Sequence, residues 1–176
     1  MRLFLAVEAP ASRSYEEVTQ DLLRAFPTAR PVPTGQWHAT LRFLGEVPDA
    51  DPVCEKVRPI VAQVPQTRLR VQGVGAFPNA AKARVLWAGM QADGLETLAA
   101  ALAEALPLPR EPEPARPFRP HVTLARLDPP RDTRAFIEAN ARRDFAEGTW
   151  REVVLMRSEL RPGGPVYTKV ATFPLA

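Results

Sequence analysis

The sequence predicts a mixed α/β chain folded as two similar lobes that face each other. Three observations lead there. Apolar residues alternate with period two in some stretches and follow the helical period in others. The four-residue pattern H-x-T-L occurs twice, in "WHATLRFLGEV" (37–47) and "PHVTLARL" (120–127). Each copy is followed by a helical stretch and then by another strand, which suggests internal duplication.

Taken in order, "RLFLAVE" (2–8) reads as a strand. Residues 12–26 read as a helix, with Ser14 and Glu17 at capping-box spacing and Tyr15, Val18, Leu22, Ala25 and Phe26 on one face. The proline-rich turn "PTARPVPTG" leads to the first histidine strand, about 37–46. A second helix is expected over 50–63, with Asp51 as cap, Pro52 in its first turn and Pro59 kinking or shortening it. Strands at 68–77 and 82–90 flank the turn "PNAA". The helix at 94–106 has the clearest amphipathic pattern, with Leu95, Leu98, Leu102 and Ala105 or Leu106 facing inward. The loop 107–120 carries six prolines and excludes regular structure. The second histidine strand follows, then a short helix within 129–141, and closing strands at 151–160 and 166–173 around "RPGGP".

Composition narrows the class. With 45% hydrophobic and 24% charged residues, the 176-residue chain matches an ordinary globular protein able to bury a substantial core. No apolar run reaches the length of a membrane span. The apolar start is short, and charges at Glu8, Arg13, Glu16 and Glu17 follow at once, so it reads as a strand and a cytoplasmic protein is expected. The single cysteine, Cys54, excludes an intramolecular disulfide and reads as a small core residue. One cysteine and two histidines leave too few ligands for a zinc site of the usual type. Net charge is +3, and the basic residues are twenty Arg against three Lys. Arginine's planar fork of donors suits phosphate, so a nucleotide or nucleic-acid ligand is permitted without being required.

The two histidines of the chain are His38 and His121, both inside the repeated pattern. By average composition, Thr and Leu follow a given histidine at these offsets roughly once in 200 cases, so two matches fall on the order of one in 10⁴. Repetition establishes duplication; chemistry must come from geometry. On a strand, His38 and Thr40 share one face and Leu41 the other; His121 and Thr123 share one face, and Val122 and Leu124 the other. Lobes related by a pseudo-two-fold axis would bring two imidazoles and two hydroxyls into one groove. One imidazole can take a proton from a nucleophile while the other gives one to a leaving group. The hydroxyls suit a non-bridging phosphate oxygen better than nucleophilic attack. This constellation resembles that of ribonuclease-type phosphodiester chemistry, which needs no metal.

Paired H-x-T-h motifs with these flanks resemble the 2H phosphoesterase superfamily, in its branch of RNA 2′,3′-cyclic phosphodiesterases, also called 2′-5′ RNA ligases. The resemblance extends over "RLFLAVE", "HATLRFLGEV", "GVGAFPN", "RVLWAGM", "RPFRPHVTLAR" and "SEL" with "GGPVYTKVATFPL". It implies an α+β, bilobal fold, with two antiparallel sheets lining a central groove and helices packed outside, the whole of 1–176 forming one such unit. It implies hydrolysis of a terminal 2′,3′-cyclic phosphate to a 2′-phosphate, with 2′-5′ ligation as the reverse reaction. It also implies that His38 is the proton donor and His121 the acceptor. The expected partners are RNA ends or nucleotides carrying the cyclic phosphate, with no cofactor, no metal and no membrane attachment, and the chain is expected to act as a monomer. The readings set against this are a non-catalytic RNA- or nucleotide-binding module, and a 2H phosphodiesterase for another cyclic or 2′-5′-linked nucleotide.

Further candidates flank the motifs. Strand parity puts Arg42 on the groove face and Arg126 on the opposite one. The resemblance favours Arg126 as a phosphate contact, and a bulge after Leu124 would reconcile the two. Tyr167 and Trp37 are the candidates for stacking on a base, while Phe43, Trp87 and Phe118 read as core. Ser158 stands where the family tends to place a serine that could bond a histidine.

Overall fold

The first strand, β1 (Arg2–Glu8), is apolar throughout because it is buried on both faces: Leu3 to Val7 are all inaccessible or nearly so. Leu3, Leu5 and Val7 enter a large core, whereas Phe4 and Ala6 pack with Val154 and Met156 in a second, smaller cluster. A strand exposed on one side would alternate apolar and polar residues; this one does not, because it lies inside a sheet with material on both sides. The computed structural model describes residues 1–33, 35–111 and 117–176.

The remaining elements are α1 (Ser14–Ala25), β2 (Arg30–Pro31), β3 (His38–Glu46), α2 (Asp51–Val61), β4 (Thr67–Phe77), β5 (Ala83–Ala92), α3 (Leu95–Ala105), β6 (His121–Arg131), α4 (Arg134–Ala139), β7 (Asp144–Trp150), β8 (Glu152–Arg161) and β9 (Gly164–Pro174). Eight strands run in the order β7-β4-β5-β6-β3-β1-β8-β9, with β2 beside β6, and every pairing is antiparallel. The fold is therefore α+β, in two four-stranded halves. They meet where the two histidine strands touch, through the single register pair Ala39↔Val122. So short a ladder lets β3 and β6 splay, and the groove opens between them.

Helices tie the halves together. α1 follows β1 in sequence but packs on β6 and β7, and α3 follows β5 but packs on β3 and α2. The buried helix faces, Tyr15, Val18 and Leu22 on α1 and Leu95, Leu98, Ala99 and Leu102 on α3, join one core beneath both halves. Among the described residues, no helix is long and apolar enough to cross a membrane.

Several boundaries differ from the sequence expectation. The Ser14–Glu17 capping box does not form; the Ser14 backbone N–H donates to the Ser12 hydroxyl, and Ala25 is exposed. Asp51 is the first residue of α2 rather than its cap, and its N–H donates to the Asp49 carboxylate. Pro59 sits in the last turn of α2, which ends two residues later. The helix expected over 129–141 shrinks to α4, because β6 continues through Pro129 and Pro130 and still pairs at Ala83↔Arg131. Proline's fixed φ suits an extended strand end as well as a first helical turn, and the ladder to β5 decides. β2 and β7 have no clear period in the sequence; β2 is two residues long and β7 is an outer edge strand. Of the proline-rich loop, residues 112–116 lie outside the described residues.

Candidate active site

The H-x-T-L strands share a local irregularity that sets the site. On β3, Ala6 pairs with Thr40 and Leu5 with Arg42, which leaves Leu41 as an extra residue. On β6, Trp87 pairs with Thr123 and Leu86 with Ala125, which leaves Leu124 extra. Each motif thus carries a β-bulge at its leucine, and the alternation of faces is reset there. Leu41 and Leu124 stay buried, and the residues facing the groove after the threonines become Phe43 and Arg126.

This reset corrects the parity argument in both copies. Arg126, expected on the far face, lines the groove. Arg42, expected in the groove, points the other way: its guanidinium donates to the Leu106 carbonyl at 2.8 and 3.1 Å, capping the end of α3, and pairs with Glu111. Phe43 is not core; it is 42% exposed and lines the groove. Trp37 is not in the groove; it packs against Tyr15, with ring centroids 4.4 Å apart, at the edge of the core.

The imidazoles are held alike. His38 Nδ1–H donates to the Gln36 carbonyl at 2.8 Å, and His121 Nδ1–H donates to the Arg119 carbonyl at 2.7 Å. A carbonyl only accepts, so each bond fixes the proton on Nδ1 and leaves Nε2 as the reactive nitrogen. Each ring also packs against a pair of aromatic rings that touch each other. Phe4 and Tyr167 lie 5.1 and 5.3 Å from His38, and Phe77 and Trp87 lie 4.9 and 6.0 Å from His121. The indole of Trp87 can lie there because residue 75 is glycine; a Cβ at that position would stand 2.3 Å from the ring.

Burial lowers the pKa of both histidines, since desolvation disfavours the imidazolium. Smaller influences differ between the two. The proximity of His121 disfavours a charged His38 and outweighs the opposite influence of Glu8, which pairs with His38 across the β1–β3 ladder and bridges to Lys169 at 2.8 Å. Arg126 disfavours a charged His121.

The groove has a volume of about 770 Å³, and His38, Thr40, His121, Thr123, Arg126, Ser158 and Tyr167 all line it. Arg2, Arg30 and Arg161 line it too, and among the described residues no carboxylate does. A cavity with four guanidinium groups and no acid favours an anionic ligand. Among the described residues, no group of three or more His, Cys, Asp or Glu side chains is placed to hold a metal ion. The sequence reading missed Arg2, Arg30, Gln36 and the packing of Phe4, Phe77 and Trp87 against the imidazoles, the last of these expected in the core. Strand parity would have grouped Arg2 with Phe4, but nothing local says which face of β1 meets the groove.

Residues 7–162 match the 2′-5′ RNA ligase superfamily. The chain belongs to that superfamily. It is 36% identical to the RNA 2′,3′-cyclic phosphodiesterase of Thermus thermophilus, over 99% of this chain and 90% of that protein. Among solved structures it resembles TT0787 of the same organism, with a TM-score of 0.70, 35% identity, and coverage of 99% of this chain and 97% of that one. It also resembles E. coli LigT complexed with 3′-AMP, with a TM-score of 0.70, 28% identity and the same coverage. In this superfamily member, both motifs lie on adjacent strands, with their histidines and threonines turned into one groove.

Proposed function

We propose that the protein hydrolyses terminal 2′,3′-cyclic phosphates of RNA to 2′-phosphates by two-histidine acid–base catalysis. The observation that carries this is the meeting of the two motifs. Both imidazoles, each tied through Nδ1 to a carbonyl, share one arginine-lined groove with both threonine hydroxyls. Relatives that carry the name RNA 2′,3′-cyclic phosphodiesterase over nearly the whole chain support the substrate.

His121 Nε2 takes a proton from water as the oxygen attacks phosphorus, and the bond from phosphorus to O3′ breaks. His38 gives its Nε2 proton to O3′, and the phosphate remains on O2′. Attack in line places base and acid on opposite sides of the phosphate, one histidine coming from each half of the sheet. This allocation of the two roles is the one the family resemblance implies. Thr40 and Thr123 donate to the non-bridging oxygens, and Arg126 balances their growing charge. Tyr167, beside His38, is the base-stacking candidate in the groove. Both lobes together form one catalytic unit. It acts as a monomer in the cytoplasm without a metal or cofactor, and 2′-5′ ligation is the same path run backwards.

The test is product analysis on RNA ending in a 2′,3′-cyclic phosphate, with a chelator present. A 2′-phosphate product is expected. A 3′-phosphate product, loss of activity with chelator that metal restores, or binding without turnover would each reject the proposal.

A further inference from the structure

The two imidazoles are backed differently. In the ladders beside them, His38 faces Glu8 of β1, whereas His121 faces Gly89 of β5, which has no side chain to offer. The rings that pack on His121 are Phe77 at 4.9 Å and Trp87 at 6.0 Å, and they lie 5.2 Å from each other. Neither lines the groove, whereas Phe4 and Tyr167, which pack on His38, both do. The wall behind His121 is therefore built from side chains set back from the groove. Trp87 stands beside Thr123 in the β5–β6 ladder and lays its indole across to β4. A Cβ on Gly75 would stand 2.3–2.8 Å from three indole carbons, and one on Gly89 would stand 4.0 Å from a fourth. Gly75 has no positive φ, so its backbone would accept alanine, and glycine serves there for space. No hydrogen bond holds the indole: its Nε1–H is buried without a partner among the described residues. A phenyl ring would avoid that unmet bond. What the indole adds is reach, from the hollow over Gly75 to the imidazole.

We infer that Trp87, seated over Gly75, is a positioning residue for His121: it holds the imidazole in the attitude that base catalysis needs, without itself touching the substrate. The inference rests on the proposed phosphodiesterase reading and deepens it. The bond from Nδ1–H to the Arg119 carbonyl fixes one atom of the ring and leaves the ring free to swing about it. The Phe77 edge and the indole limit that swing. A misplacement of about 1 Å at a reacting group costs on the order of 10² in rate. The same wall keeps water off one side of the ring. The charged groups around His121 are Arg126 on its own strand and His38 across the groove. From β4 and β5 it meets Phe77, Trp87 and Gly89, none of them titratable.

The experiment uses Trp87→Ala, Trp87→Phe, Gly75→Ala and the double variant Gly75→Ala/Trp87→Ala, with two readouts. The first is kcat and KM on RNA ending in a 2′,3′-cyclic phosphate. Trp87→Ala should lower kcat about 10²-fold with KM little changed, and Trp87→Phe should lie between it and the wild type. Gly75→Ala should lower kcat by driving the indole onto the imidazole, and should add no loss in the Trp87→Ala background, where the indole is gone. The second readout is proton NMR titration of the two imidazoles of the chain, told apart with His38→Ala. In Trp87→Ala, water reaches the His121 ring, which should titrate closer to the ordinary value of about 6.5, while His38 shifts less. Unchanged kcat in both Trp87→Ala and Gly75→Ala overturns the inference. So does an equal loss from Gly75→Ala in both backgrounds, or a His121 titration that Trp87→Ala leaves in place. Should Trp87→Ala fail to fold, Gly75→Ala is compared in the wild-type and Trp87→Phe backgrounds, and a loss no smaller beside phenylalanine overturns it. If the wild type hydrolyses no cyclic phosphate, yet the His121 titration responds to Trp87→Ala and Gly75→Ala, the phosphodiesterase reading fails and the control of His121 by Trp87 stands.

Discussion

Removing His38 should be curable by chemistry, and removing His121 should not. Nδ1 of His38 is occupied by the Gln36 carbonyl, so Nε2 is the one nitrogen able to protonate O3′. His38→Ala deletes that donor while leaving Thr40, Thr123 and Arg126 in the groove to hold the phosphate. The loss should therefore fall on kcat. A positioned general acid contributes about 10²–10⁴ in rate, or about 2.7–5.4 kcal/mol at 1.36 kcal/mol per ten-fold. His38 is only partly exposed among Phe4 and Tyr167, so little bulk water can replace the missing proton, and the upper half of that range is expected. A cyclic substrate with sulfur in place of O3′ leaves as a thiolate and needs no proton. Single-turnover rates of both histidine variants on the oxygen and sulfur substrates make the assay. His38→Ala should recover most of its deficit with sulfur, and His121→Ala almost none. Recovery by His121→Ala alone would reverse the two roles, and equal recovery by both would refute the separation of acid and base.

Thr40→Ala and Thr123→Ala should each lower kcat about 10²–10³-fold at nearly unchanged melting temperature, whereas Leu124→Ala, whose side chain is 1% exposed, should cost about 2–5 kcal/mol of stability by denaturant titration. Arg126→Ala should lower kcat/KM about 10–10²-fold with little effect on stability. Arg42→Ala should do the opposite: it leaves the Leu106 carbonyl without its donors and should cost about 1–3 kcal/mol of stability while kcat/KM changes little. The pH–rate profile should be bell-shaped, because one imidazole must be charged and the other neutral. Burial lowers both pKa values, so the kcat/KM optimum should lie below the ordinary histidine value of about 6.5. Bound phosphate stabilises both imidazolium forms, so the kcat optimum should lie at higher pH; coincident optima measured on the same substrate would contradict this.

The same desolvation links to stability. A histidine whose folded pKa is depressed takes up its proton more readily when unfolded, so its contribution is present above about pH 6.5 and is lost as pH falls toward the folded value. Chemical denaturation between about pH 7.5 and 5 should show falling stability in the wild type and a shallower fall in the double variant His38→Ala/His121→Ala.

What the sequence determined by itself were the features that depend on neighbours along the chain. The repeated H-x-T-L patterns, the alternation placing His38 with Thr40 and His121 with Thr123, and the amphipathic faces of α1 and α3 are local, and the structure shows all three. The tertiary structure decided wherever a residue's direction is set by the strand beside it. Arg42 and Arg126 each follow their motif threonine along the strand, yet parity assigns each to the face opposite the one it occupies. A bulge is a mismatch between two ladders, and Leu41 becomes the extra residue only when β1 supplies Leu5 and Ala6 opposite it. Leu124 becomes extra only against Leu86 and Trp87 of β5. The capping box fails for a related reason: the Ser12 hydroxyl competes for the same N–H, and spacing cannot rank the two. The face of β1 that meets the groove, and with it Arg2 and Phe4, is likewise hidden, because a strand buried on both sides carries no alternation from which to read it.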